Sequence, residues 1–262
     1  MDPAQHLATL RTETARVAAL PADALDAPVP ALPDWTVERV VRHVGKVHQW
    51  VAAVLRLPAG AGMDGVDTAT LPGIPTGPNA LAAYAESADD LLAAFEARDP
   101  DDPIATFIGD DRVAWWLRRQ AHETTVHRHD AHDAVAAAGG PPPTAIDADV
   151  AADGIDEWAR VFLATRFGQR FGSFPDDLAG HSIHLHGTDD PAPPDGAEWL
   201  IRFAEDPAAG VAVTAEHAKG DAAVRGAAAD LLLALWNRRP LDTVDVIGDR
   251  SVVERLLAVA TF

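Results

Sequence analysis

The chain contains no cysteine, which excludes disulfides, thiolate metal ligands, a redox CxxC pair and a cysteine nucleophile. Any sulfur chemistry must therefore use a thiol supplied from outside the protein. Lysine is almost missing too, present only at Lys46 and Lys219. With 40 Asp and Glu against 21 Lys and Arg, the formal charge is −19, and no basic patch is concentrated anywhere in the sequence. That balance argues against a nucleic-acid or anionic-membrane partner, which needs cations to neutralise phosphates, and mainly confers solubility. No apolar run approaches the roughly 18 to 20 residues of a membrane span. The first twenty residues carry Asp2, His6, Arg11, Glu13 and Arg16 rather than a basic segment followed by an apolar one. The expectation is a soluble, cytoplasmic protein. The 262 residues, 48% of them hydrophobic, are enough for one large domain or two ordinary ones with a sizeable core.

The first two thirds read as helices. Leu7, Leu10, Thr14 and Val17 follow helical spacing, as do Val37, Val40, Val41, Val44, Val47, Val51 and Val54 in a second segment with Thr36 as its N-cap. Leu81, Tyr84, Ala88, Leu91, Leu92 and Phe95 mark a third helix, residues 112 to 138 a fourth, and Val150 to Phe167 a fifth. The Pro/Gly-rich run from Pro58 to Pro78 predicts a long loop, and Gly139-Gly140-Pro141-Pro142-Pro143 a sharp helix end. Beyond about residue 172 the pattern changes. Short alternating runs at His181 to His186 and Val211 to Thr214, a β-rich patch at Thr243 to Ile247, and helical spacing in Ala227 to Trp236 and Val252 to Val259 predict a small α+β domain. The predicted organisation is a helical bundle over 1–172 and an α+β domain over 173–262.

The densest chemistry lies in the fourth helix, whose inward stripe runs Val113, Trp116, Gln120, Glu123, His127, Ala131, Ala134. Glu123 and His127, four apart, project from adjacent turns of one face, so both can grip one cation. His122 lies five residues before His127, about 140° around the helix, which rules out the HExxH arrangement of zincin proteases. The second helix offers a third ligand in His43, on the side of Val40, Val47, Trp50 and Val54, whereas His48 points away. Three ligands of the His/His/Glu type leave a coordination position open, as in catalytic zinc sites. The competing reading is a Glu and a His that merely hydrogen-bond inside a bundle, in a chain with 11 histidines. His122, His129, Asp130 and His132 read as supporting or solvated helix residues, Asp130 being the best placed to support a ligand. His181, His184 and His186 alternate along one strand. His184 and His186 share a face, but no third ligand is evident beside them, and they read as structural. Trp115, Trp116, Trp158 and Trp236 read as core residues that can also wall a cleft.

The segments Asp34-Trp35-Thr36-Val37 to Val41-Arg42-His43-Val44, Ala121-His122-Glu123 to Val126-His127-Arg128-His129-Asp130, and Asp153-Gly154-Ile155-Asp156-Glu157 resemble the mycothiol-dependent maleylpyruvate isomerase family. Val224-Arg225-Gly226-Ala227-Ala228-Ala229-Asp230 to Trp236-Asn237-Arg238 resembles the C-terminal domain of that family. The resemblance covers most of the chain. It implies an α+β protein, a DinB-like metal-binding helical bundle followed by a sterol-carrier-like domain, with His43, Glu123 and His127 as metal ligands. It also implies mycothiol as cofactor beside zinc or another divalent metal, and a catalytic arginine that maps best onto Arg238, with Arg239 and Arg225 as competitors. Asn237 stands where the family commonly has Gly, although Asn tolerates the same left-handed turn. The alternative for Arg238 is a cation at a helix C-terminus facing solvent.

An open metal site and a missing cysteine together predict a metal-activated small-molecule thiol, whose thiolate attacks an electrophilic, acidic substrate held by an arginine such as Arg238. His43 and Arg238 are the residues expected to serve catalysis. Isomerisation about a cis double bond and thiol S-transfer are both compatible with that chemistry. Two other readings stay open: a metal-dependent hydrolase working without thiol, and a non-enzymatic protein whose C-terminal domain binds a small apolar ligand.

Overall fold

The computed structural model describes residues 1–109 and 112–262, which divide into two compact units, Met1–Thr144 and Ala145–Phe262. The first unit holds four long helices: α1 (Pro3–Ala18), α2 (Val37–Leu55), α3 (Ala80–Glu96) and α4 (Val113–Ala137). Thr36 caps α2 by accepting from the Arg39 amide, as the sequence predicts, and Asp2, a cap that the sequence reading missed, closes α1 through a reciprocal arrangement with Gln5. Val17, Val37, Val40, Val41, Val44, Tyr84, Ala88, Ala131 and Ala134 interlock in one core cluster. α2 packs on α3 and α4, and α1 on α4 and α3, which makes a four-helix bundle.

The long connection after α2 is irregular, as expected, but it is fastened. Ile74 is buried against the bundle, its carbonyl accepts from Arg42 Nε at 3.1 Å, and Gln49 exchanges hydrogen bonds with the Gly73 backbone in both directions. A side-chain amide thus satisfies a backbone N–H and a C=O that the loop cannot pair by itself.

The second unit opens with α5 (Ala148–Glu157), which continues through a wider π-helical stretch, Trp158–Arg166, into α6 (Phe167–Phe171). A boundary near residue 173 assigns this segment to the bundle, whereas the structure groups it with the sheet. The reason is specific bonding: Asp156 Oδ1 accepts from Trp199 Nε1 at 3.0 Å, Arg160 donates to the Val213 carbonyl, Phe167 stacks on Phe174, and α5 packs on α7 (Ala228–Leu235).

Five strands form one mixed sheet in the order β3-β2-β1-β4-β5. They are β1 (Ser182–Gly187), β2 (Glu198–Phe203), β3 (Val211–Thr214), β4 (Ala222–Gly226) and β5 (Asp245–Gly248), and α8 (Arg250–Val259) follows. β1 pairs parallel with β4, and every other pairing is antiparallel. Sequence alternation locates β1, β3 and β5 but misses β2 and β4. β2 had a usable signal in Trp199-Leu200-Ile201-Arg202-Phe203, while Ala222-Ala223-Val224 is too bland to mark a strand.

Residues 215–221 link β3, at one edge, to β4, so the chain must travel past β2 and β1. It passes so close to β1 that a Cβ at Gly220 would lie 2.7 Å from the Ala222 carbonyl oxygen and 3.0 Å from both the His184 nitrogen and the Ser182 oxygen. These are backbone atoms that cannot turn aside. Gly220→Ala is therefore expected to destabilise the second unit by about 1–3 kcal/mol, read as a lower thermal midpoint; an unchanged midpoint would mean that the crossover gives way freely.

Candidate metal centre

α4 is buried on nearly all sides, because it is flanked by α1 and α2 and is the bundle's most enclosed helix. The expected stripe of Val113, Trp116, Gln120, Ala131 and Ala134 is buried, with Glu123 and His127 in line with it. His122, His129 and Asp130 are buried as well, which favours the supporting over the solvated alternative for these residues. A helix packed on several sides has no wet face, so amphipathic spacing carries no signal of this burial.

His43, Glu123 and His127 come together. His43 Nε2 lies 3.2 Å and His127 Nε2 3.4 Å from the same oxygen, Glu123 Oε1. The other carboxylate oxygen, Oε2, accepts from Arg119 at 2.7 Å. Tetrahedral donors about 2.0–2.2 Å from zinc lie roughly 3.3–3.5 Å from one another, so each nitrogen already stands close to that spacing from Oε1. The donor set, two imidazoles and one carboxylate with all ligand atoms within 4.8 Å, fits a divalent metal. His43 is the outer member, with 39% of its side chain exposed, and the centre meets solvent on its side.

Asp130 Oδ2 lies 3.0 Å from His127 Nδ1. A carboxylate only accepts, so Nδ1 carries a proton and Nε2 is the atom turned to Glu123, the usual orientation of a ligating histidine. Burial works against a charged His127, but Glu123 and Asp130 outweigh it and raise the imidazole to about 9. Burial likewise opposes ionised Glu123, yet His127, His43 and Arg119 hold its carboxyl well below the usual carboxylate range.

Trp35, which precedes the Thr36 cap, forms a wall that the sequence reading missed. Its ring stacks on His127, with 6.0 Å between centroids and a 4° interplanar angle, and meets His43 edge-on at 5.3 Å. Asp34 enters the left-handed region (φ 66°) to turn Trp35 inward. The Asp34-Trp35 pair immediately before the Thr36 cap gives no hint of its tertiary neighbours. His48 is fully buried and points elsewhere, its Nε2 3.1 Å from Thr124 Oγ1, and burial lowers it to about 3. It is a neutral core residue.

Arg238 belongs to the second unit. Just beyond the end of α7 and its Trp236 cap, Asn237 adopts the left-handed turn (φ 57°) that a Gly would otherwise supply, and Asn237 Nδ2 donates to the Leu257 carbonyl. Arg238 follows it, half-buried, with Nη1 donating to the Trp236 carbonyl at 2.8 Å. Arg239 is half-buried beside it, and Arg225 stands exposed on β4.

Residues 7–132 match the mycothiol maleylpyruvate isomerase N-terminal domain, and residues 149–255 match the MDMPI C-terminal domain. The chain belongs to the mycothiol maleylpyruvate isomerase family. The second match begins within α5, in agreement with a unit boundary at 144/145. Among solved structures, the fold is similar to that of mycothiol-dependent maleylpyruvate isomerase, with 13% sequence identity, a TM-score of 0.56, and 94% of this chain and 93% of that chain covered. A histidine-to-alanine mutant described under the same name gives a TM-score of 0.58 at the same identity and coverage. No curated protein matches the sequence closely enough to add to this. No described helix is long and apolar enough to cross a membrane.

Proposed function

We propose that this protein is a divalent-metal-dependent enzyme that uses mycothiol to isomerise, or transfer the thiol to, a small acidic electrophile. The observation that carries the reading is the convergence of His43 Nε2 and His127 Nε2 on Glu123 Oε1 at 3.2 and 3.4 Å in a chain with no cysteine of its own. Family membership points to the same chemistry.

His43, Glu123 and His127 are the residues that hold the cation, for which zinc suits the donors best. When bound, that cation supplies the Lewis acidity that keeps a thiol of ordinary pKa near 8.5 ionised at neutral pH. The protein's own groups prepare the place. Arg119 occupies Glu123 Oε2 and so directs Oε1 toward the two imidazoles, Asp130 fixes the His127 ring, and Trp35 covers one flank and keeps water from it. The exposed edge of His43 leaves an approach for thiol and substrate. Arg238 is assigned to the substrate carboxylate, where a guanidinium binds bidentately.

The deciding experiment supplies zinc-loaded protein with mycothiol and maleylpyruvate, and with other cis-conjugated acids. Turnover that needs both metal and thiol, and that disappears in Glu123→Gln, is the expected result. Turnover without thiol would replace the proposal with a metal-dependent hydrolase. Asp130→Asn, which removes the charge that orients His127, is expected to weaken zinc binding about 10- to 100-fold, measured by competition with a chelator; unchanged affinity would remove Asp130 from the site.

A further inference from the structure

We propose that the second unit binds a divalent cation of its own, zinc by the chemistry of its donors, through His184, His186, Glu198 and His217. The site differs in kind from the one in the bundle. It offers three imidazoles and a carboxylate, four protein ligands where the bundle offers three, and so reads as a closed clamp rather than an open catalytic centre.

Local structure assembles it in three steps. Alternation along β1 puts His184 and His186 on one face of the sheet. The antiparallel register sets His186 directly opposite Glu198, the first residue of β2, and brings the carboxylate between the two histidines. The crossover between β3 and β4 then carries His217 to the same point.

The resulting geometry is compact. Glu198 Oε2 lies 3.3 Å from His184 Nε2 and 2.6 Å from His217 Nδ1, while Oε1 lies 3.2 Å from His186 Nδ1. The three rings form a nearly equilateral triangle with centroids 5.3 to 5.6 Å apart. All four ligand atoms fall within 4.8 Å of one another. Tetrahedral zinc needs donors roughly 3.3–3.5 Å apart, so the contacts of 3.3 and 3.2 Å, made to the two oxygens of Glu198, already lie near that spacing, and no pair of ligand atoms has to close by more than about 1.5 Å. His217, whose side chain is 76% exposed, has the freedom to supply that movement.

The plainer account is a carboxylate that accepts hydrogen bonds from three neutral imidazoles. It explains the contacts but not the economy: three of the chain's 11 histidines face one carboxylate, two of them on a rigid strand and the third on a crossing loop. One cation replaces all three hydrogen bonds with coordination. It also fastens residues 215–221, which carry Lys219, to the sheet they cross.

The test titrates metal-free, full-length protein with zinc in two backgrounds. His127→Ala removes the bundle site from the count, and His186→Ala/His217→Ala is then added to it. These two side chains are 20% and 76% exposed, so the pair can be replaced without emptying the core. The expected result is one equivalent of zinc lost between the two proteins. Trypsin supplies a second reading, since Lys219 lies in the loop: zinc should slow cleavage there at least tenfold in His127→Ala and leave it unchanged when His186 and His217 are also replaced. Equal zinc uptake by both proteins, with cleavage insensitive to zinc in both, would overturn the proposal and leave the bundle site untouched.

Discussion

Glu13→Ala is expected to lower the unfolding free energy of the bundle by about 3–5 kcal/mol, a large part of the roughly 5–15 kcal/mol that keeps a domain folded. Glu13 is the partner of Arg128, whose side chain is fully buried. Arg128 Nε donates to Glu13 Oε2 at 2.5 Å, and Nη1 donates to the Thr144 carbonyl at 2.6 Å. A guanidinium cannot escape burial by shedding its proton, so removing the carboxylate strands a full charge in the bundle interior. The reverse change is milder. In Arg128→Leu, Glu13 keeps Arg16, whose Nη1 donates to Glu13 Oε1 at 2.6 Å and which is one-third exposed. The double replacement Glu13→Leu/Arg128→Leu should recover most of the loss, because an apolar pair leaves no unpaired charge. Thermal unfolding of the four proteins checks the order. Melting of Glu13→Ala and Arg128→Leu within a degree or two of wild type would mean that the buried pair contributes nothing to stability.

The second large effect is a pH dependence centred on His127. In metal-free protein its imidazole is raised to about 9, above its ordinary value of 6.5. A raised histidine stabilises the folded state fully below 6.5, and that stabilisation is lost as pH rises through 9. The loss should amount to about 3 kcal/mol between these limits. Glu123 acts in the opposite sense at the acid end: held below its ordinary 4.5, it contributes stability above that value and loses it as pH falls. Metal-free protein should therefore be markedly less stable at pH 9.5 than at pH 6.

Zinc bound at the proposed centre should reverse that trend at high pH, since a cation at His127 Nε2 would take the place of the proton. Binding near pH 7.5 should release about one proton at this site. Calorimetry in buffers of different ionisation enthalpy measures it as the difference between wild type and His127→Ala. No difference in proton release, together with an unchanged zinc count, would remove His127 from the metal centre.

Much of the bundle is legible in the sequence because each helix signals itself locally. Valine spacing and the Thr36 cap give α2, and the Glu123/His127 interval depends only on helical pitch, which fixes two side chains on adjacent turns wherever the helix lies. The extent of burial of α4 is not legible, because packing by neighbours on several sides leaves no wet face whose polarity would mark its boundary. Arg119 and Trp35 illustrate the same gap. Arg119 lies one turn before Glu123 and had a positional signal, whereas Trp35 reaches His127 only through the chain turn at Asp34.

By itself the sequence determined the excluded chemistries, the helix positions, the two-part organisation and the pairing of Glu123 with His127, since composition and period are local properties of the chain. Tertiary structure alone decided that 148–171 belongs with the sheet, that the His43 face of α2, already distinguished from His48 by its spacing, lies against Glu123, and that Glu198 and His217 join His184 and His186. Those outcomes depend on strand register, on a crossover between strands that are not neighbours, and on which helix lies against which. These are contacts between residues far apart in the chain, and no spacing within a single segment encodes them.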